Sequence, residues 1–452
     1  MRLKFLKDKK FLKSMFSIAI PVAIQNLITS SLNMVDTVMI SSLGKSAIAA
    51  VGLANQVFFF YIVVSFGINS GSSIFIAQYW GKRDKKNIKK VLGLAITLSG
   101  LLGLIFTILA FFFPEFLMGL LIQDPDVILI GSKYLKVVSL SYIVTAISFA
   151  YSVALRTTGK ANIPVFVSIV SVLTNVFFNY ALIFGKFGFP QMGVVGAAWG
   201  TVIARFLELG VTILFVYMGR GVLAASFKEL FSYDKSFFRR YIITTWPVIL
   251  NEAFWSLGQV MYSIAYAKMG EEATAAVQVA TTVQNMFLVV VKGLANACTI
   301  MVGAKIGAGE EEEAYDYAIQ FLLIATLFGV FLGLTQSLTP RLTLMLFSDL
   351  DPGVYEASRK ILIILGFTFI VRMFNSTAIV GVLRGGGDTA FSMKLELVSV
   401  WLIGVPIAFI GVLVFKLPVY IVVGLVSLEE LVKASIAYPR IKSKKWIRNV
   451  IE

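Results

Sequence analysis

The chain contains no histidine and a single cysteine, Cys298. A disulfide within the chain, a Cys/His zinc site and any mechanism that needs a histidine base are thereby excluded. Proton or cation chemistry falls to carboxylates. Charge is scarce as well: 14% of residues are Asp, Glu, Lys or Arg, against about a quarter in a soluble globular domain. Hydrophobic residues make up 58% of the chain and mean hydropathy is +0.85, so its solvent is lipid. Long polar loops are missing too. None is large enough to fold as a soluble nucleotide-binding or catalytic domain, and none carries a GxxxxGK[ST] phosphate loop.

What is present is a succession of apolar runs, each of about 20 residues and so able to cross a hydrocarbon core of roughly 30 Å as a helix. Twelve spans are expected, at 14–40, 48–79, 91–113, 133–155, 161–185, 194–218, 241–268, 274–303, 314–338, 358–384, 391–415 and 418–438. Basic residues set the orientation. The N-terminal tail carries Lys4, Lys7, Lys9 and Lys10, the second loop Lys82, Arg83, Lys85 and Lys86, the sixth Arg220, Lys228, Arg239 and Arg240, and the C-terminal tail Arg440, Lys442, Lys444 and Arg448. The odd loops are poor in bases and hold Asp124, Asp126, Asp349 and Asp351. Both termini and all even loops are therefore expected in the cytoplasm of a cell in whose plasma membrane the protein sits. Glu310 to Glu313 and Asp316 in the eighth loop run against the trend, but acids contribute little to topology. The net charge of +15 is accounted for by this signal and by contact with anionic lipid head groups. Nucleic-acid binding is not expected, since no soluble module presents the charge. The basic Met1–Lys13 segment runs straight into the first span, unlike a cleaved signal.

The first half of the chain recurs in the second. Pro21-Val22 returns as Pro247-Val248 (247 − 21 = 226), Gly44 as Gly270, Ala49-Ala50-Val51 as Ala275-Ala276-Val277, Gly67 as Gly293 and Gly81 as Gly307. Leu155-Arg156 and Gly159 return as Leu383-Arg384 and Gly387, now at 228, so the second copy has gained two residues in between. The expected fold is an all-α integral membrane protein of twelve transmembrane helices in two pseudo-symmetric six-helix lobes, residues 1–225 and 226–452. Such doubling is how many secondary transporters are built around a central site.

Ionisable and amide side chains in lipid are costly, and each is by default a functional candidate. Asn26, Ser30, Asn33, Asp36 and Thr37 share one face of the first span. Glu252, Ser256, Gln259 and Ser263, at +226 from Asn26, Ser30, Asn33 and Thr37, repeat the stripe in the seventh. Bonding between packed membrane helices would account for the hydroxyls and amides, but less readily for the acids Asp36 and Glu252, whose burial unpaired costs several kcal/mol. The fifth span adds Ser168, Ser171, Asn175 and Asn179 on one face, and the last two offer oxygens for a hard cation such as Na⁺ beside Asp36. The matching face of the eleventh span reads Glu396, Ser399, Ile403 and Ile407, so the amides are not duplicated, and the N-terminal lobe is expected to be the ion-coupling half. Arg156 and Arg384 read as topology anchors and loop contacts, and Arg372 as either snorkelling or paired with an acid. Pro21 and Pro247 each remove a helix hydrogen bond upstream of a stripe, leaving places to bend.

The segments VDTVMISSLGKSAIAAVGL (35–53), LRTTGKANIP (155–164) and the NxxxNYALIFG run (175–185) resemble the multidrug and toxic compound extrusion (MATE) family, along the whole chain. The resemblance implies two six-helix lobes around a V-shaped cavity. It also implies export of lipophilic, often cationic compounds in exchange for H⁺ or Na⁺, without a bound cofactor. It assigns the coupling acid to Asp36, the helix-five amide to Asn175, the next helix-five position to Asn179, a helix-six hydroxyl to Thr201, the bending proline to Pro21 and the second-lobe glutamate to Glu252. Asn33, Ser256 and Gln259 complete the expected substrate-binding set, and Na⁺ would lie at Asp36, Asn175 and Asn179. One departure stands out: span ten reads VRMFNSTAIVGVLRGGG (371–387), without the aspartate of one branch, so that Asn375 is a neutral stand-in.

The expected protein is thus a monomeric, multi-pass antiporter for small lipophilic or cationic drugs. In the mechanism, an incoming cation or proton neutralises Asp36, bends the first span at Pro21 and expels the substrate. The energetics permit it: moving one positive charge outward costs about 2.3 kcal/mol per 100 mV, which an incoming cation returns. A flippase for lipid-linked sugar precursors is the competing reading, but should have a strongly basic interior to hold pyrophosphate, whereas these stripes are acidic or neutral. An intramembrane enzyme would need a histidine, a paired-aspartate motif or a metal set, none of which is found. A scaffold gives no reason for two carboxylate-bearing stripes.

Overall fold

Runs this apolar satisfy their backbone polar groups in lipid only as helices, and helices are what form. The computed structural model describes residues 9–347 and 350–452. Asp349 and the side chain of Asn33 lie outside the described residues. The first six long helices are α1 (Lys9–Ser41), α2 (Lys45–Gly81), α3 (Lys85–Phe112), α4 (Pro125–Thr157), α5 (Asn162–Phe184) and α6 (Gly193–Met218). The second six are α7 (Lys235–Ala267), α8 (Glu271–Gly307), α9 (Glu311–Leu338), α10 (Pro352–Arg384), α11 (Thr389–Leu413) and α12, which runs Val419–Val426 and resumes at Leu428–Lys442. Among the described residues, ten helices are long and apolar enough to cross a membrane. α12 falls short because its two pieces have 8 and 15 residues, and α7 because Asn251, Glu252 and other polar residues dilute its apolar run.

The repeat is visible in backbone detail. Gly44 and Gly270, each just before a long helix, have φ of 103° and 104°, a region open to glycine and strained for other residues. Asp124 caps α4 and Asp351 caps α10, each followed by proline at the first helical position. Their carboxylates accept from the amides of Asp126 at 3.0 Å and Gly353 at 3.0 Å. The extra two residues of the second copy are also located. Pro114 and Pro340 start matching short helices at a separation of 226, while Asp124 and Asp351 stand 227 apart, so one residue enters between Pro340 and Asp351. The other enters α10, whose last turns from Thr377 to Arg384 are wound as a π-helix, the usual way a helix absorbs one added residue.

By internal contacts the chain divides into two units whose limits are not those of the sequence repeat. One comprises the chain up to Ala23, Ala77–Arg83 and Ile243–Glu452; the other comprises Ile24–Ile76 and Asp84–Ile242. The first boundary falls inside α1, two residues beyond Pro21. In the first unit Phe11, Met15, Ile18 and Val22 form a buried stripe on α1 with Leu294, Cys298, Ile306, Phe321 and Phe369. Phe11 meets the edges of Tyr317 and Phe321 at 5.0 Å each, and the carbonyl of Ala19 sits against Gly293. Spacings of four, three and four explain the stripe.

In the same unit the ends of α2 and α8 cross backbone on backbone. A Cβ on Gly81 would lie 1.8 Å from the Ala304 carbonyl oxygen, and one on Gly307 would lie 1.9 Å from that of Gln78. Since 304 − 78 and 307 − 81 both equal 226, each repeat copy presents the same glycine to the same carbonyl of the other. Gln78 also holds the chain end: its Nε2 donates to the Arg448 carbonyl at 2.9 Å, and its Oε1 accepts from the Val450 amide at 2.9 Å. Nearby, the fully buried Asp388 accepts from Arg440 Nε at 2.8 Å and forms an ion pair with Arg448 Nη2 at 2.9 Å.

No flexible atom can give way at this crossing. Gly81→Ala and Gly307→Ala are therefore expected each to lower the melting temperature of the purified protein, by the equivalent of at least the roughly 1–3 kcal/mol usual for overpacking. Gly100→Ala in α3, where a Cβ meets nothing within 4 Å, should be neutral or slightly stabilising. Thermal unfolding in detergent followed by tryptophan fluorescence measures all three.

Candidate functional site

In the unit built on Ile24–Ile76 and Asp84–Ile242, the polar faces of α1, α5 and α6 meet at Asp36. Asn179 Nδ2 donates to Asp36 Oδ1 at 2.8 Å and to Asn175 Oδ1 at 3.0 Å. Asn175 Nδ2 in turn faces Thr201 Oγ1 at 3.3 Å, and Thr201 donates to the Ala197 carbonyl at 3.1 Å. Asn175 and Asn179 are buried, with 1% exposure each, and Asp36 is half-buried. One turn of α5 separates the two amides, which is why spacing alone could group them. Gly200 makes room for them, since a Cβ there would lie 2.0 Å from Asn179 Oδ1. That oxygen is buried and has no hydrogen-bond partner.

The four residues Asp36, Asn175, Asn179 and Thr201 are thus one hydrogen-bonded chain. As a sodium site the set fits poorly in this arrangement. Asn179 presents an N–H and not an oxygen to Asp36, and Asn175 Oδ1 already accepts from Asn179, so this arrangement turns no ready shell of oxygens toward a hard cation at Asp36. A proton on Asp36 requires no such shell.

Lower on α5 lies a cluster that the sequence reading passed over. Glu208 on α6 accepts from Ser171 at 3.0 Å, Ser148 at 3.2 Å and Arg205 Nη1 at 2.7 Å. The positive charge of Arg205 also reaches Asp36. Ser168 instead receives Gln25 Nε2 at 3.1 Å. With two carboxylates and one guanidinium, the interior here carries one negative charge in excess. On α1 itself Asn26 is half-buried, whereas Ser30 and Thr37 are exposed. Asn33, expected to bind substrate, cannot be placed beyond its helical backbone.

In the other unit the expectations need correction. Glu252 is not a free acid: Arg384 Nη1 donates to its Oε1 at 2.6 Å, and the arginine is only 3% exposed. Arg384 is therefore neither an anchor nor a loop contact. Ser256 is buried, Gln259 half-buried and Ser263 exposed, with Ser263 spending its hydroxyl on the Gln259 carbonyl. Arg372 resolves as inward, donating to Gln284 Oε1 at 2.7 Å. Lys292, missed in the eighth span, is exposed, and its charge faces Glu252 and Arg372. The stripe on α7 is itself acidic or neutral, but the neighbouring α8 and α10 bring bases to it. Asn375 is no stand-in for an acid but a donor to one, with Nδ2 2.7 Å from Glu430 Oε2 on α12. α1 and α7 both run through their prolines as single helices.

Outside the membrane, the short linker helix Phe227–Leu230 is tied to α3 by the Lys89–Glu229 pair at 2.7 Å. The Lys89 ammonium and the Ser226 amide pull the Glu229 carboxyl down to about 2. A depressed acid stabilises above its unfolded value and loses that contribution as pH falls toward 2.

Removing Glu252 leaves Arg384 buried without its counter-charge, a loss of about 3–5 kcal/mol for a buried pair. Glu252→Gln should therefore lower the melting temperature sharply, and adding Arg384→Leu should recover part of the loss. A thermal-shift series on the two single variants and the double variant checks this.

A family model described as MatE matches residues 21–181 and 247–410, two segments whose starts are again 226 apart. A probable multidrug resistance protein NorM of Thermotoga maritima is 28% identical, over 90% of this chain and 86% of its own. The uncharacterised transporter YisQ of Bacillus subtilis is 26% identical over 98% and 96%, and the multidrug resistance protein PmpM of Pseudomonas aeruginosa 25% over 89% and 84%. Among solved structures, a MATE crystal structure in complex with MaL6 superposes with a TM-score of 0.87, at 21% identity and 98% coverage of both chains. A MOP superfamily transporter from Pyrococcus furiosus superposes at 0.86, also with 21% identity and 98% coverage. A match on both halves, a relative spanning nine-tenths of the chain and the all-helical fold lead to one conclusion: this chain belongs to the MATE family of multi-pass membrane transporters.

Proposed function

We propose that the protein is a secondary active antiporter that exports lipophilic compounds by alternating access, driven by protons that bind and leave Asp36. The observation that carries this reading is the Asp36 chain itself, a half-buried carboxylate whose direct partner is a neutral amide. Neutral partners let an acid gain and lose charge without stranding a counter-ion. The shortage of oxygen ligands around Asp36 favours the proton over sodium. The resistance proteins among its relatives favour drugs as substrates. In this reading both termini are cytoplasmic, the membrane is the plasma membrane, the protein acts as a monomer and Pro21 is the hinge of α1. The hinge has support from the contact boundary two residues beyond it.

Substrate charge is less one-sided than the stripes suggested. Glu252 is neutralised, while Lys292 and Arg372 offer positive charge. These two residues favour a second reading, an anionic lipid-linked substrate handled by a flippase.

In proteoliposomes, a lipophilic cationic dye is expected to leave under a pH gradient and not under a sodium gradient at constant pH. Asp36→Asn should reduce the flux to that of empty vesicles while leaving the melting temperature near wild type. Gradient-driven efflux retained in Asp36→Asn overturns the role of Asp36, and efflux driven by sodium alone overturns proton coupling. An anionic amphiphile moved in place of the cation would establish the second reading.

A further inference from the structure

The unit that contains Ile243–Glu452 holds a charged cluster with no part in the mechanism above. Lys433 Nζ on α12 lies 3.2 Å from Glu396 Oε1, 3.5 Å from Glu429 Oε1 and 3.6 Å from Glu430 Oε1. Lys433 is 3% exposed and Glu429 6%. Tyr262 OH donates to Glu429 Oε2 at 2.5 Å. Asn375 Nδ2 donates to both the carbonyl and Oε2 of Glu430, at 2.6 and 2.7 Å. Gly404, the last residue of a π-helical segment that begins at Val398, opens the space: a Cβ there would lie 2.0 Å from Tyr262 OH and 2.2 Å from Glu429 Oε2.

The position of this cluster in the repeat is what gives it meaning. Tyr262 is the counterpart of Asp36 (262 − 36 = 226). At the offset of 228 that relates Leu155 to Leu383, Glu429 is the counterpart of Thr201 and Lys433 that of Arg205. The Asp36 site pairs an acid on its first helix with a hydroxyl and a base on its sixth. Here the hydroxyl stands on the first helix of the half and the acid on the last, with the base kept in place. Acid and hydroxyl have exchanged helices around the same point of the bundle.

We propose that Glu396, Glu429 and Glu430 form a second proton-exchange site, which binds one proton shared among the three carboxyls. Three carboxylates face one ammonium in direct contact, and of the nearby bases Arg372 offsets one more charge through space from its bond to Gln284. One negative charge is left over, in a region where such an excess costs several kcal/mol. The other titratable groups facing the set are Tyr262 and Tyr266 on α7, and Lys292 on α8 faces Arg372. A metal ion has no room, because Lys433 already occupies the point at which the three carboxylates converge, whereas a proton needs no volume. Asn375 supplies an independent sign: it is 2% exposed, lies against Glu430, and its Oδ1 has no donor. A buried acceptor beside a carboxylate gains its donor when the carboxyl, or water accompanying the proton, brings an O–H. The proton comes from water and returns to water, with no other bond made or broken. Because the groups are coupled, it belongs to the set and not to one glutamate.

This inference stands apart from the antiport reading, since it is tested without substrate. The full-length protein, reconstituted in lipid vesicles, is followed by infrared spectroscopy as bulk pH is stepped in sodium-free buffer. A protonated-carboxyl C=O band is expected to grow toward acid pH and to survive Asp36→Asn. It should be lost or clearly displaced in Glu429→Gln and Glu430→Gln. Tyr262→Phe removes only one oxygen and keeps the assay meaningful should the glutamine variants fail to fold; it should shift the band to higher frequency as the phenol's hydrogen bond disappears. A band unchanged in all three variants, or absent once Asp36 is replaced, overturns the proposal. So does a band removed by added sodium chloride at fixed pH, which would make the ligand an alkali cation.

Discussion

A charge within a hydrocarbon layer must meet an opposite charge or be given up, and this constraint orders the interior of both bundles. An isolated carboxylate in the membrane costs several kcal/mol, so the acids are found in groups with bases or with donors. Glu208 takes Arg205 and two serines, Glu252 takes Arg384, and three glutamates converge on Lys433. Asp36 is the exception that defines the site, because its direct partner is the neutral amide of Asn179. Where the partner is a guanidinium, protonating the acid strands the base. Where it is an amide, the acid can change charge while the surroundings stay as they are. Buried ion pairs and exchangeable acids are thus two solutions to one problem, and which applies is decided by whether the neighbouring bases balance the acids.

Sequence spacing made much of this legible, and its failures have physical causes. Twelve apolar runs and a shift of 226 suffice for the helices and for their doubling, because helices in lipid are long and loops have little to do. Asn175 and Asn179, one turn apart, and Asp36 were found for the same reason. Glu252 was recognised as a buried acid, but its partner lies 132 residues away, and no local pattern encodes such a contact. Arg384 was misread because it closes an apolar run, where a basic residue ordinarily marks the interface. It ends the π-helical turns of α10 and is buried instead, and a π-turn has no signature in a single sequence.

Arg205, Glu208, Lys292, Glu429, Glu430 and Lys433 had the plainest signal of all, charge inside an apolar run. They lie off the polar faces that match between the first and seventh and between the fifth and eleventh spans. The halves conserve a geometry more faithfully than they conserve residue types: Tyr262 occupies the position of Asp36, and Glu429 that of Thr201. A comparison that asks for acid opposite acid does not see an acid and a hydroxyl that have changed places. Lys433 opposite Arg205 marks the correspondence, at an offset of 228 and not 226.

The backbone obeys the repeat more strictly than the side chains do. Gly81 against Ala304 and Gly307 against Gln78 leave no space even for a methyl group, and the caps of α4 and α10 use the same Asp-Pro device. Side chains in the interior, by contrast, are free to differ so long as charge is balanced locally. A duplicated transporter can therefore keep one set of helix crossings while its halves acquire different chemistry. In the first half, neutral amides surround one acid. In the second, acids share one ammonium, and a salt bridge fixes Glu252. The crossings hold the helices where an acid can be reached, and the balance of acids and bases around it then determines whether that acid moves charge or only holds the bundle together.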